Sequence, residues 1–316
     1  MKDAGLSLEA RRSLASKRRF MRPREGWRHH LACYVFVAPY LVAFVVFVGL
    51  PVLYGLYVSL HNWNAVGGNQ GFVGAHNYTT LFDAQNVFAQ YFWTGIVNTV
   101  LFAAISVPVI WALATMLAYA VYTYHGTLKS FFRSLYFLPT VFSAAAIGAL
   151  WQFLLATDGG SINNFFGVHV QWLTSQPWAW ISLDLASVWW TVGFFMLIMY
   201  AGINEVPRAV FEASALDGAG WWRTFVSIVL PQIQHVSLVV IVIATIQAFN
   251  LFAQPLIMTN GGPGTSTRTI SMVIYDQIFN SMDAGGGAAM AYLFGILLAA
   301  LVFVQYFRGA RLGSRQ

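Results

Sequence analysis

The sequence of 316 residues contains few charged residues and a single cysteine. Asp, Glu, Lys and Arg together make up 9% of the chain, whereas a typical soluble domain has roughly a quarter. So few charges cannot cover a water-exposed surface, which excludes a soluble globular protein. Cys33 has no second cysteine to pair with, which excludes a disulfide scaffold. Apolar residues reach 58%, which excludes intrinsic disorder and indicates the lipid bilayer as the solvent.

Six long segments are free, or almost free, of charged residues. A helix needs roughly 20 apolar residues to cross a bilayer core of about 30 Å. The segments are residues 31–60, 95–122, 134–156, 178–203, 224–258 and 288–307. Only Asp184 places a charge inside one of them. The fifth segment is longer than a crossing needs, so its first residues, up to about Gln232, are predicted to belong to the preceding loop. The sequence therefore predicts an all-α integral membrane protein with six transmembrane helices.

The distribution of Lys and Arg predicts the orientation, because short cytoplasmic loops retain these residues. Sixteen of the 17 lie in the first 30 residues, in the connections after the second and fourth helices, or in the C-terminus. The other three connections contain only Arg268. Both termini are therefore predicted to be cytoplasmic. Residues 1–30 form a basic leader in this prediction, residues 31–307 the six-helix transmembrane domain, and residues 308–316 a short tail.

The basic leader has competing interpretations. A cleavable signal peptide also begins with basic residues before an apolar run, but the run here spans residues 31–60 and lacks a small-residue cleavage motif. The stretch from Arg11 to Arg28 has the charge to bind nucleic acid, yet attraction to anionic membrane lipid explains it without a further assumption. We favour a retained first helix and a lipid contact, with no nucleic-acid partner.

Motifs for nucleotide and metal chemistry are absent from the sequence. No G-x-x-x-x-G-K-[ST] loop for ATP occurs, and neither H-E-x-x-H nor C-x-x-C is present. The chain is therefore predicted to have no catalytic residue, metal or cofactor of its own and not to be an enzyme. Asp184 is either a functional acid or, as we favour, a group near the hydrated end of its helix. A membrane enzyme or a proton-driven carrier needs clustered intramembrane acids or histidines, which these segments do not supply.

The connection of residues 204–231, predicted to be cytoplasmic, has the pattern of a helix, a turn and a second helix. Residues 208–216 suit a short helix, Asp217 and Gly218 supply a sharp break, and an amphipathic segment runs from Trp221 to Pro231. The small residues, which permit close approach of another surface, are Ala213, Ser214, Ala215 and Ala219. The bulky aromatic residues, which offer apolar contacts, are Phe211, Trp221, Trp222 and Phe225. The pattern suits docking into a partner's groove and an interfacial helix on lipid equally well.

This connection resembles the EAA signature of permease subunits of bacterial ABC importers. The matching residues are Glu212-Ala213-Ser214, Asp217-Gly218-Ala219 and Ile228-x-Leu230-Pro231. Ser214 is one departure, since the family usually has alanine there. The resemblance extends from about Tyr34 to Arg308 and is to the carbohydrate branch, that of maltose-type and glycerol-3-phosphate-type permeases. The segments that carry it are Ala38-Pro39-Tyr40, residues 51–59, 72–78 and 132–139, and Thr259-Asn260-Gly261-Gly262-Pro263.

The resemblance implies the type I ABC importer fold and a permease subunit for a sugar, an oligosaccharide or glycerol phosphate. It also implies a second homologous permease subunit, two ATP-binding subunits that hold ATP and Mg, and an extracytoplasmic solute-binding protein at the bacterial cytoplasmic membrane. We name residues 204–231 the coupling segment, because in the family this loop inserts into a cleft of the ATPase. The residues implied for that contact are Glu212, Ala213, Ser214, Asp217, Gly218 and Ala219.

Substrate is expected near the bilayer midplane, where transporter sites generally lie. In the fifth helix one face holds residues at i, i+3, i+4 and i+7, and the resemblance places sugar contacts on about this face. These residues are Ala244, Gln247, Ala248 and Leu251, with Asn250 as a neighbour. The midplane residues of the fourth helix are Trp190, Thr191 and Phe194. An aromatic ring beside hydrogen-bonding groups suits a sugar, although bundle packing is the alternative for each aromatic residue, and the identity of the sugar stays open.

The glycine-rich connection of residues 259–287, which we name the outer segment, has two interpretations. It contains the run Asn260-Gly261-Gly262-Pro263-Gly264 and lies on the side predicted to face away from the cytoplasm. It is either a contact surface for the solute-binding protein or a flexible loop without structure, and the sequence favours neither.

Overall fold

The computed structural model describes residues 27–124 and 126–313. These residues form helices and short connections, apart from one β-hairpin. The chain divides into two compact units, residues 1–55 and residues 56–316. Most of the basic leader and the end of the tail lie outside the described residues, so their predicted lipid contact and cytoplasmic location stay predictions.

The first unit contains most of the first predicted span. Its helices are α1 (Trp27–Phe44) and α2 (Leu50–Ser59), which are joined by one π-helical turn at Val45–Gly49. The boundary between the two units, after residue 55, falls within α2. Tyr34–Ser59 is long and apolar enough to cross a membrane, with a mean hydropathy of 2.5. The first predicted span is therefore confirmed as a helix of sufficient length.

The second unit consists of helices that follow one another with short connections. In chain order these are α3 (His76–Thr79), α4 (Val87–Thr123), α5 (Gly126–Phe137), α6 (Ala144–Leu154), α7 (Ser161–Phe166), α8 (Trp178–Glu205), α9 (Arg208–Leu216), α10 (Trp221–Thr224), α11 (Leu230–Gln232), α12 (Gln234–Phe249), α13 (Ala253–Met258), α14 (Ile270–Tyr275) and α15 (Ala284–Gly313). Short 3-10 segments cover Thr80–Phe82 and Leu138–Val141, and π-helical turns cover Phe225–Val229 and Asp276–Asn280.

The number of spans agrees with the sequence. In the described part of the chain five helical spans are long and apolar enough to cross a membrane, and a bent helix pair makes six when it counts as one. The fifth span begins at Gln234, which confirms that the residues up to Gln232 belong to the preceding loop. This span is interrupted at residues 250–252, between α12 and α13, which the continuous apolar run did not predict.

The third predicted span, residues 134–156, is strongly bent and counts as one span only when its two helices are taken together. The segment from α5 through its 3-10 turn meets α6 at an angle of 95°. Pro139 has no N–H for the helix ladder, and the backbone at Phe142 and Ser143 is extended. The Ser143 hydroxyl then accepts a hydrogen bond from the Ala146 N–H at 3.2 Å and starts α6 as its N-cap.

Side chains and backbone of α8 hold this bend. The Trp190 Nε1–H donates to the carbonyl oxygen of Phe142 at 3.1 Å, so it pairs a backbone group that the extended conformation leaves without a helix partner. Gly193 lies against the carbonyl group of Tyr136, where a Cβ atom would overlap the oxygen. The bend therefore depends on two residues about 50 positions further along the chain, beyond the reach of a local sequence pattern.

A small hairpin is the exception to the all-α architecture. Strands β1 (His61–Asn64) and β2 (Gly68–Phe72) pair antiparallel, with His61 opposite Phe72 and Asn64 opposite Gly68. The Asn64 Oδ1 accepts hydrogen bonds from the N–H groups of Val66 and Gly67, and so closes the turn in the manner of asparagine turns. Hydropathy windows do not detect so short a polar element.

Helices α4 and α8 form the centre of the second unit, where they pack against each other along their length. Buried alanines at positions 114, 118 and 186 let the helices approach closely, as small residues do in membrane bundles. Large buried side chains fill the space around them: Phe92, Phe102, Leu183, Phe195, Met196 and Met199. This rigid pair supplies one wall of the cavity described below.

The outer segment is ordered by hydrogen bonds to α4 and to the end of α12, so the interpretation as a structureless loop is wrong. The Asn98 amide donates to the carbonyl oxygens of Thr265 and Arg268 at 2.9 and 3.0 Å. The Thr99 hydroxyl accepts from the Ile270 N–H at 3.0 Å. The Thr269 hydroxyl donates to the carbonyl oxygen of Leu251 at 2.8 Å. These bonds satisfy buried backbone groups that a loop at membrane depth would otherwise leave unpaired.

Candidate substrate cavity and coupling surface

A cavity of about 570 Å³ lies within the second unit. Its walls come from α4, α8, the bend between α5 and α6, and the break between α12 and α13. All eight residues predicted for the substrate pathway line it: Trp190, Thr191, Phe194, Ala244, Gln247, Ala248, Asn250 and Leu251. The structure thus brings together two sets that lie at least 50 positions apart in the chain. Their contact with substrate stays a prediction.

The polar members of this set differ in how far they are already engaged. The Thr191 hydroxyl donates to the Ser187 carbonyl oxygen at 2.8 Å, and the Asn250 amide donates to the Ile246 carbonyl oxygen at 2.7 Å. The Trp190 Nε1–H donates to the carbonyl oxygen of Phe142 at the bend between α5 and α6. Gln247 has an exposed side chain, so its amide can reach a ligand without leaving an internal bond.

Two polar residues of the wall were not predicted. Gln254 is 2% exposed and its Nε2 has no hydrogen-bond partner, and Ser187 is 6% exposed with an unpartnered Oγ. Ser187 precedes Thr191 by four positions on α8, so helical spacing was enough to include it. Gln254 lies beyond the break at residues 250–252 and does not continue the helical spacing of α12. The residues predicted from the bilayer midplane begin at Trp190 on α8, one turn after Ser187.

Asp184 lies next to this cavity rather than in it. The hydroxyl of Ser106, a wall residue on α4, donates to the Asp184 carboxylate on α8. Asp184 is half-buried between these helices. The structure therefore gives the one intramembrane acid a hydrogen-bond partner on the neighbouring helix. An acid at the hydrated end of α8, as the sequence led us to expect, would not require such a partner.

The coupling segment folds as the sequence predicts. Its first helix, α9, covers Arg208–Leu216, and Gly218 has a φ of +67°, a left-handed conformation that glycine adopts without strain. The Ala219 N–H donates to the carbonyl oxygen of Ser214 at 3.0 Å, which closes the turn. The second helical stretch runs from Trp221 to Gln232 and passes through Pro231, where it was expected to stop.

One hydrogen bond joins the two helices of the coupling segment from within. The Ser214 hydroxyl lies 2.8 Å from the Thr224 hydroxyl, and both residues are buried, at 5% and 7% exposure. Ser214 thus faces inward, toward the second helix of the segment, and its expected contact with a partner stays a prediction. Its hydroxyl gives a physical reason for the departure from alanine, since it joins α9 to α10 through Thr224.

The exposed face of the coupling segment consists of the other predicted residues. Glu212, Ala213, Asp217 and Gly218 are exposed, and Ala219 is half-buried. Leu216 lies beside them and is 89% exposed, so this face also presents a large accessible apolar side chain. Small residues next to one projecting leucine suit insertion into a groove.

The aromatic residues of the segment divide between the two sides. Phe225 is buried and stacks on Tyr119 of α4, with ring centroids 5.3 Å apart, and Phe211 lies 5.1 Å from the ring of Tyr122. These two attach the segment to α4, so the expectation that they are offered to a partner is wrong. Trp222 is 61% exposed and stays accessible to a partner or to lipid.

No group of three or more His, Cys, Asp or Glu side chains that could hold a metal ion occurs among residues 27–124 and 126–313.

A bundle of membrane-spanning helices with an internal cavity and an exposed helical loop has the organisation of a membrane transport subunit. Residues 85–312 match the model of the family described as the inner membrane component of binding-protein-dependent transport systems. The chain belongs to this family of ABC transporter permeases and is an inner-membrane protein.

Relatives with transport functions cover almost the whole chain. The sn-glycerol-3-phosphate transport system permease protein UgpA of Escherichia coli is 32% identical over 287 residues, which are 90% of this chain and 95% of UgpA. The lactose transport system permease protein LacF of Rhizobium radiobacter is 30% identical over 283 residues, 87% of this chain and 92% of LacF.

A solved structure has the same fold. It is a bacterial alginate ABC transporter in complex with an alginate pentasaccharide-bound periplasmic protein. The TM-score is 0.78 at 20% sequence identity, over 90% of this chain and 96% of that chain. At this identity the likeness shows the fold alone, and it places the chain among ABC importer permeases in architecture.

Proposed function

We propose that this chain is one of two permease subunits of an ATP-driven importer of a carbohydrate. Its relatives include permeases named for lactose and for glycerol 3-phosphate, and the cavity combines aromatic rings with hydrogen-bonding side chains. Sugars present apolar ring faces beside hydroxyl groups, so such a wall complements them. The observation that carries the proposal is the convergence of all eight predicted pathway residues on one cavity.

Two ATP-binding partner subunits supply the energy in this proposal, and they hold ATP and Mg. Glu212, Ala213, Asp217 and Gly218 contact the ATPase, and Leu216 inserts as an apolar anchor. Exposed small residues around one projecting side chain support this role, because such an anchor can be fully desolvated on docking. Closure of the ATPases on ATP moves the coupling segments and opens the pathway to the outside, and hydrolysis resets it.

Orientation and delivery complete the proposal. Both termini and the coupling segment face the cytoplasm, as the distribution of basic residues predicts. A solute-binding protein docks on the opposite side and delivers the substrate. The order of the outer segment supports a docking role there, because a surface fixed in advance loses little entropy on binding.

Within the cavity, Gln247 is the main polar contact of α12 and Asn250 its neighbour. Thr191 and the ring of Trp190 contribute from α8, Phe194 and Leu251 pack against the sugar's apolar faces, and the alanines at 244 and 248 leave room for it. The test is uptake of labelled sugar into proteoliposomes that contain both permeases and both ATPases, with the binding protein added outside.

Uptake should require ATP inside and should fall at least tenfold in Glu212→Ala. Asp158→Ala, which also removes an exposed carboxylate but lies far from the coupling segment in sequence, is the matched control and should transport normally. Equal uptake by Glu212→Ala and the wild type, or uptake without ATP, would rule out the proposed coupling.

A further inference from the structure

The cavity wall contains two buried polar atoms without a hydrogen-bond partner, the Nε2 of Gln254 and the Oγ of Ser187. Burying such a group unpaired is unfavourable, and native proteins rarely leave a buried polar atom without a partner. Both side chains are more than nine-tenths buried, so bulk water does not satisfy them. A bound ligand that offers hydrogen-bonding groups would remove this cost.

The neighbouring polar groups do not share this property. Thr191, Asn250 and Trp190 each donate to a carbonyl oxygen of this chain. An amide Nε2–H is a donor only and therefore requires an acceptor oxygen, whereas the Ser187 hydroxyl can donate or accept. A sugar hydroxyl serves both, because its oxygen accepts and its hydrogen donates.

The two residues extend the predicted contact face beyond the interruption of the fifth span. Gln247 belongs to α12, whereas Gln254 is the second residue of α13, after the break at residues 250–252. Ser187 belongs to α8, which packs against α13. Contacts on both sides of the break would hold a ligand across it.

The charge of the wall selects against anions. Among the residues that line the cavity in the described chain, none carries a charged side chain. Asp184, whose carboxyl group accepts a hydrogen bond from the wall residue Ser106, is an acid and offers no positive charge to a phosphate or a uronate. An anion placed here would lose its hydration without a cation to replace it.

We propose that Gln254 and Ser187 are specificity-determining residues that hydrogen-bond an uncharged carbohydrate, and that this chain excludes phosphorylated and acidic sugars. The inference rests on the proposed function and narrows it to one substrate class. It separates this chain from its relative named for glycerol 3-phosphate and from the structural neighbour that imports alginate.

The first experiment compares uptake of labelled probes by the complete complex in proteoliposomes. The neutral probes are lactose, maltose and maltotriose, and the anionic probes are sn-glycerol 3-phosphate and an alginate trisaccharide. We expect ATP-dependent uptake of at least one neutral probe and none of the anionic ones. Uptake of an anionic probe would overturn the restriction to uncharged carbohydrates but not the proposed function as a carbohydrate importer. Uptake of no probe would count against the proposed function itself.

The second experiment uses Gln254→Leu and Ser187→Ala, with Gln152→Leu as the control, since Gln152 is an exposed glutamine on α6. Each cavity variant should raise the half-saturating concentration of the neutral sugar about tenfold, the ratio that corresponds to about 1.4 kcal/mol. The control should match the wild type.

Thermal unfolding distinguishes a ligand contact from a structural role. Gln254→Leu removes an unpaired buried donor, so its unfolding temperature without sugar should equal or exceed that of the wild type. A lower unfolding temperature would show that Gln254 has a structural partner and would overturn the proposal. A half-saturating sugar concentration in Gln254→Leu equal to that of the wild type would overturn the proposal as well.

Discussion

The outer segment and the coupling segment are connections of similar length, and they are attached to the bundle in opposite ways. The outer segment is joined to α4 by buried side-chain-to-backbone hydrogen bonds from Asn98 and Thr99. The coupling segment is closed by a hydrogen bond within itself, Ser214 to Thr224, and touches α4 through aromatic ring contacts. One is an integral part of the fold, and the other is a self-contained unit with a free face.

The hydrogen-bond partners of a connection indicate whether it can move relative to the helix bundle. A connection whose polar backbone groups are satisfied by the bundle cannot move without exposing them. A connection that satisfies its own groups can shift as a unit on an apolar contact, as the stacking of Phe225 on Tyr119 allows. A helix pair that is joined by its own hydrogen bond and packed on α4 through aromatic rings suits the transmission of motion from a partner.

The largest expected effect comes from Leu216→Glu, on the free face of the coupling segment. Leu216 is 89% exposed, so the substitution costs the isolated permease little, but it buries an unpaired charge when the ATPase docks. We expect at least a tenfold loss of ATPase retained on affinity purification of the complex. Val66→Glu, at an 82% exposed apolar residue of the hairpin, is the control and should retain the ATPase. Full retention by Leu216→Glu would show that this face is not the docking surface.

The second effect concerns the attachment of the outer segment. Asn98→Leu leaves the carbonyl oxygens of Thr265 and Arg268 without their donor, and should lower the free energy of unfolding by about 1–3 kcal/mol. Thermal unfolding in detergent, followed by a fluorescent thiol or tryptophan signal, measures it. Asn164→Leu, at an exposed asparagine of α7, should unfold like the wild type. Equal unfolding of both variants would mean that the outer segment is not held by α4.

The smallest effect tests the internal bond of the coupling segment. Ser214→Ala and Thr224→Val each remove one hydroxyl, and their double-mutant cycle should give a coupling energy of about 0.5–1.5 kcal/mol. Faster amide hydrogen exchange at Gly218 and Ala219 should accompany each single change, because the turn opens more often. Ser227→Ala, at an exposed serine, should change neither quantity. Additive effects in the cycle would contradict the bond.

The sequence predicts those parts of the fold that the bilayer imposes. The length of an apolar run indicates a span wherever the helix is continuous, as in α4, α8 and α15, because the hydrocarbon thickness fixes the number of residues. The size of the bend after α5 was beyond prediction, since it depends on Trp190 and Gly193 from a distant helix. The hairpin escaped because it is short and polar.

For the site, the family resemblance together with the spacing on one helix face selected Gln247, with Asn250 as its neighbour, and the structure places both at the cavity. The orientation of Ser214 was out of reach, since the side on which a serine lies depends on Thr224 across a turn. Gln254 was missed because the continuous apolar run concealed the break that separates α12 from α13. Burial, which identifies an unpaired polar atom, is a property of the fold and not of the local sequence.

The most direct test of the account is the accessibility of residue 216 in membrane vesicles. Leu216→Cys is introduced together with Cys33→Ser, so that the chain has one thiol, and a membrane-impermeant maleimide is added to inside-out and right-side-out vesicles. We expect labelling in inside-out vesicles only, and loss of labelling when the ATPase subunits are bound. Labelling from the outer side, or labelling that the ATPase leaves unchanged, would contradict the assignment of residues 204–231 as the coupling segment.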